Sequence, residues 1–270
     1  IKMKNIFKFT AIALIALTLT NCKKDKDKDP EPEPTPTPTT PSTAGSLKIE
    51  FEAMVGDSAL VFNTETYTNQ AGNTFNVSMY KYYISNIKIT KMDNSVWTEP
   101  NSYHLIDHSN PSSALITLAN VPFANYKAIE FMIGVDSARN EAGASGQTGD
   151  LDVANGAMYW SWNTGYIMSK FEGTTSGQNI KYHIGGWKGS YNSLKIVSPS
   201  FNSDTAKVTA SITPIIHISN NLLEWFETPT IVDFSTFNAG NKVIMSASAS
   251  SKTIADNYAD MFTVEHIHND

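Results

Sequence analysis

From Leu47 to Asp270 the dominant pattern has a period of two, and that period constrains the fold more than any other feature of the chain. Leu47-Lys48-Ile49-Glu50-Phe51 alternates apolar and polar residues. Ile84–Ile89 and Ala206–Ile212 repeat the pattern. A strand turns successive side chains to opposite faces, so such runs bury one face and wet the other. Turn chemistry separates them: Ala71-Gly72-Asn73, Asp93-Asn94, Ser176-Gly177-Gln178 and Asn238-Ala239-Gly240-Asn241. Many short strands with frequent turns predict an all-β, single β-sandwich-like domain. Short helices are expected in the connections, at Ile218–Phe226 and Thr253–Ala259. No internal repeat and no second linker interrupt residues 47–270, which are read as one domain.

The N-terminus reads as an address. Lys2, Lys4 and Lys8 precede a short apolar run, Ala11–Leu19, that is too short to span a bilayer. Residues 1–21 are therefore expected to be a signal peptide. The chain's one cysteine, Cys22, follows at once, where a bacterial lipobox places the lipidated residue. Residues 22–46 then form a Pro/Thr-rich linker, and proline at alternate positions favours an extended stalk. The expected product is a cell-envelope protein, lipid-anchored at the outer membrane and facing the periplasm or the surface. A single cysteine excludes an internal disulfide and a zinc site of the Cys-x-x-Cys type. A net charge of -6 leaves no basic surplus for phosphates, so nucleic acid is not an expected partner.

Chemistry concentrates in few segments. Met158-Tyr159-Trp160-Ser161-Trp162 puts two indoles two residues apart, and Tyr182-His183-Ile184-Gly185-Gly186 follows. Near the end, His266 and His268 project to one side of any extended segment. That spacing suits a bis-imidazole metal ligand, although a solvated polar tail looks the same. His104 and His217 read as core or edge histidines, His108 carries little, and replacing His217 is expected to leave metal binding intact. Without a thiolate, imidazoles with a thioether from Met158 or Met261 suit copper, and zinc fits three imidazoles and a water. Asp136, Asn140, Asp150 and Asp152 crowd a Gly/Ser-rich loop whose hard oxygens suit calcium. An ordinary loop with Asx-turns explains that cluster equally well.

An ordered series of motifs carries a family resemblance: Tyr82-Tyr83-Ile84-Ser85-Asn86, Tyr103-His104-Leu105-Ile106-Asp107, Ile133-Gly134-Val135-Asp136, the Trp160 segment, the His183 segment and His266-x-His268. Over nearly all of residues 47–270 the chain resembles the MbnP-like family, periplasmic copper-binding proteins associated with methanobactin operons, with relatives of the MopE/CorA type. The resemblance implies copper held by His183, His266 and His268, and Trp160 or Trp162 as the residue oxidised to kynurenine. It also implies a partner, either a dihaem MauG-like peroxidase or a TonB-dependent transporter. No Gly-x-Ser-x-Gly elbow, cysteine nucleophile, P-loop or His-Glu-x-x-His motif is found, so an enzyme is not expected. The alternatives are a glycan-binding lipoprotein stacking sugars on Trp97, Trp187, Trp225 and Tyr191, or an adhesive surface protein.

Overall fold

Alternation in the sequence becomes alternation in burial. In β1 (Ala44–Val55), Leu47, Ile49 and Phe51 are buried, whereas Lys48, Glu50 and Glu52 face outwards. The computed structural model describes residues 43–270 apart from 157 and 164. The signal segment, Cys22 and the linker up to residue 42 lie outside the described residues. β1 begins at Ala44, inside the stretch read as linker, because Gly45 and Ser46 already pair with Val121 and Ala119.

Two sheets form an all-β, sandwich-like fold. The larger is built around β2 (Thr74–Lys91), which pairs with β3 (Tyr103–Asp107). It also pairs with β5 (Ala124–Ile133) and β6 (Gly165–Thr175), and β6 continues to β7 (Gln178–Gly185). In the smaller sheet β1 lies between β4 (Leu115–Pro122) and β8 (Ile215–Asn221), and β8 pairs with β9 (Phe262–His268). Phe51 joins the sheets: its ring meets Tyr82 at 6.2 Å and Phe131 at 5.8 Å, both edge-on. Each such ring contributes about 1.5–3 kcal/mol through burial alone. A second, smaller apolar cluster contains Tyr83, Met158, Trp160, Tyr166 and Met168.

The connections differ from expectation in two places. Ile218–Phe226 is not one helix: β8 runs to Asn221, and a 3-10 turn covers Leu222–Phe226. Ile216 and Ile218 are buried two apart, so the strand period wins as far as Asn221. The strand read over Ala206–Ile212 stops at Val208, where Thr209 Oγ1 accepts from Ser211 and Ile212 N–H and folds a turn. The expected helix near Thr253 is present as Ala249–Asn257, capped by the Ser248 side chain. Among the described residues no helix is long and apolar enough to cross a membrane.

Candidate metal centre

The outer face of the smaller sheet gathers histidines and carboxylates from three neighbouring strands. β1 and β8 run parallel with Glu50 beside His217, and β8 and β9 run antiparallel with His217 opposite His266. A bulge in β9 decides which way the terminal histidines point. Phe262 and Val264 are buried, and an uninterrupted strand would carry His266 and His268 inwards after them. The register shifts opposite His217/Ile218, so Ile267 becomes the buried residue and both histidines turn out.

The three imidazoles meet there. His217 and His266 stack with ring centroids 4.3 Å apart, and His268 lies 4.7 Å from His266 and 5.1 Å from His217. Ligand atoms of all three fall within 4.8 Å of one another. On its other side, His217 Nδ1 lies 3.2 Å from Glu50 Oε2 and 3.7 Å from Glu52 Oε1. That nitrogen is buried and lacks hydrogen-bond geometry to any partner. His217 side-chain exposure is 14%, against 51% for His268, so the group is rooted in the sheet and open above it. Three neutral imidazoles can hold a borderline metal ion, and adjacent carboxylates offset its charge and orient the ring they touch. Sequence alone places His217 at a core or edge position outside the metal set, because it follows the apolar run Ile215-Ile216; the structure puts it at the centre of the group. The parity signal was present: Ile216 and Ile218 point in, so His217 and Ser219 point out.

Other residues singled out by the sequence lie elsewhere. His183 does not join His266 and His268. It sits on β7 in the larger sheet, buried, with Nε2 2.7 Å from Glu172 Oε1. Burial pushes its imidazole below the ordinary value, against the pull of Glu172. Trp160 is buried in the smaller cluster, Trp162 is 68% exposed, and neither ring contacts a histidine among the described residues. Met158 is also buried in that cluster, and the Met261 sulfur accepts from Tyr80 Oη at 3.3 Å. Trp225, one of the rings offered to sugars, is fully buried in the core.

The calcium set does not converge either. Asp136 caps the short helix α1 (Ser137–Ala142), accepting from Arg139 N–H at 3.0 Å. It also accepts from Tyr103 Oη and Asn86 Nδ2. Burial alone would raise its carboxyl; these donors outweigh it and hold the group below the usual carboxylate range. The Asn140 amide donates to Val135 O at 2.6 Å and its oxygen accepts from Tyr166 N–H at 2.9 Å. Asp150 accepts from Leu105 N–H and Asp152 from Ala154 N–H, each at 2.9 Å. Each of the four residues is engaged separately with the protein's own donors, as in Asx-turns and caps, with one carboxylate oxygen of Asp150 and one of Asp152 left over among the described residues.

With the geometry in place, the chain can be compared with known proteins. A family model described as MbnP matches residues 44–246. The chain belongs to the MbnP family. His217 lies within the matched stretch, and His266 and His268 lie beyond it. No curated protein matches. Among solved structures, MbnP from Methylosinus trichosporium is similar at 9% identity, covering 83% of this chain and 98% of that one, with a TM-score of 0.46. Membership of the MbnP family and the His/Glu group both support a metal-handling role.

Proposed function

We propose that this MbnP-family protein binds one copper ion through His217, His266 and His268 and is held in the cell envelope by a lipidated Cys22. The observation that carries the copper reading is the trio of imidazoles converging from β8 and β9. Histidine sets without thiolate suit copper, whose affinity exceeds that of other divalent first-row ions at a given nitrogen site. Glu50 and Glu52 border the trio and lower the cost of placing a cation there. The proposed role is copper acquisition or handling rather than catalysis. For the anchor, the position of the lone cysteine after the apolar run supports the reading. Cys22→Ala is expected to leave the protein free of lipid label and released from membranes.

The copper reading is tested by loading the purified mature protein with Cu(II), removing loose metal over a chelating resin, and measuring copper per chain. One ion per chain, with nitrogen coupling in the paramagnetic resonance spectrum, is expected. Replacing His266 and His268 together by alanine is expected to remove it without unfolding the domain, since both side chains are exposed. Copper retained at parity by that double variant would refute the site.

A further inference from the structure

Arg139 is the only arginine in the chain, and it stands on α1 at the rim of a polar cleft of about 440 Å³. Its guanidinium lies over the Tyr103 ring at 5.1 Å and makes no ion pair among the described residues. The ring contact holds the head group in place without neutralising it. A guanidinium carries five N–H donors in a rigid fork that matches a carboxylate. Asp136, three residues earlier, already accepts from Arg139 N–H, Tyr103 and Asn86.

A second unpaired charge lines the same cleft. Asp150 uses Oδ2 for the Leu105 N–H and makes no ion pair among the described residues. Arg139 and Asp150 thus line one cleft with opposite charges that form no ion pair with each other among the described residues. Asn101, Gln147 and Thr148, whose side chains can all hydrogen-bond, also line the cleft. Gln147 Nε2 is held by Gly143 O at 3.1 Å, which leaves its amide oxygen as an acceptor. A simple cation would meet Arg139, and a simple anion would meet Asp150. A ligand carrying both charges satisfies both walls.

We propose that this cleft binds a small zwitterion of the α-amino-acid class, its carboxylate on the Arg139 fork and its ammonium at Asp150. The volume lies within the range of small-molecule sites, and the polar lining suits a side chain that also hydrogen-bonds. The proposal is independent of the copper reading, because the cleft belongs to the larger sheet and its loops.

Isothermal titration of the mature protein with L-glutamine tests it, with acetate, ethylamine and inorganic phosphate as single-charge probes. Saturable L-glutamine binding at least tenfold tighter than any of the three is expected. Arg139→Gln and Asp150→Asn are each expected to weaken it at least tenfold. Arg139→Lys should be intermediate, because the charge survives and the fork is lost. An unchanged melting temperature and far-ultraviolet circular dichroism spectrum in each variant report an intact fold. L-glutamine binding no tighter than its separate halves would overturn the proposal. So would affinity unchanged by Arg139→Gln in a folded variant, or phosphate binding more tightly than L-glutamine.

Discussion

Acid is expected to destabilise this protein through His108, between the imidazole's ordinary titration range and about pH 4. The imidazole stacks on Tyr80 with ring centroids 5.2 Å apart and an interplanar angle of 15°, and Nε2 meets Tyr82 Oη at 3.1 Å. Burial lowers its pKa to about 4, against a small opposing pull from Asp107. In the unfolded chain the ring titrates near 6.5. Between these values the unfolded state binds the proton that the folded state refuses, so stability falls as pH falls. One unit of pKa shift corresponds to about 1.36 kcal/mol, which makes the loss by pH 4 about 3 kcal/mol at most. The ring is only partly shielded from solvent, and about 2 kcal/mol is the working figure. His183 acts with the same sign, its pKa lowered by burial, so the wild-type curve alone does not isolate His108. The assay is urea unfolding of wild type and His108→Phe at pH 7, 5.5 and 4.5. Phenylalanine keeps a flat ring on Tyr80 and removes the titration. The gap between the two proteins is expected to shift in favour of the variant as pH falls. A gap that stays constant from pH 7 to 4.5 would refute the reasoning.

Other expected outcomes follow from packing and from the site. A methyl group added at Gly173 would sit 1.9 Å from Asn76 O on the paired strand, so Gly173→Ala is expected to cost about 3 kcal/mol or more in thermal unfolding. Trp225→Ala is expected to cost about 3–5 kcal/mol, because the indole is fully buried between Tyr80, Phe171 and Tyr258. Glu50→Gln is expected to weaken copper binding by about ten- to a hundredfold in a chelator competition, with melting temperature little changed, since it removes the carboxylate against His217.

Strand content was legible because Leu47, Ile49 and Phe51 announce one buried face, and that face is the one Phe51 packs into the sandwich. His266 and His268 were legible as a pair for the same reason. Their direction was not, because it depends on a bulge that alternation alone does not reveal until Ile267 is seen to follow Val264 by three. His217 reads as a core or edge histidine in sequence because the apolar run before it belongs partly to the opposite face. Glu50 and Glu52 escaped because parallel pairing of β1 with β8 joins residues more than 160 positions apart. His183 was joined to the pair by resemblance alone, and resemblance carries no information about which sheet a residue occupies. The calcium set misled because an Asp-rich loop looks alike whether its oxygens cap helix turns or face a cation.

The most direct test of the metal centre compares His217→Ala with His183→Ala. Both proteins would be loaded with Cu(II), challenged with a chelator of known affinity, and assayed for copper per chain and for melting temperature. Convergence of His217, His266 and His268 on one face requires His217→Ala to lose its copper and His183→Ala to keep it. The opposite result, copper retained without His217 and lost without His183 in folded proteins, would contradict the account.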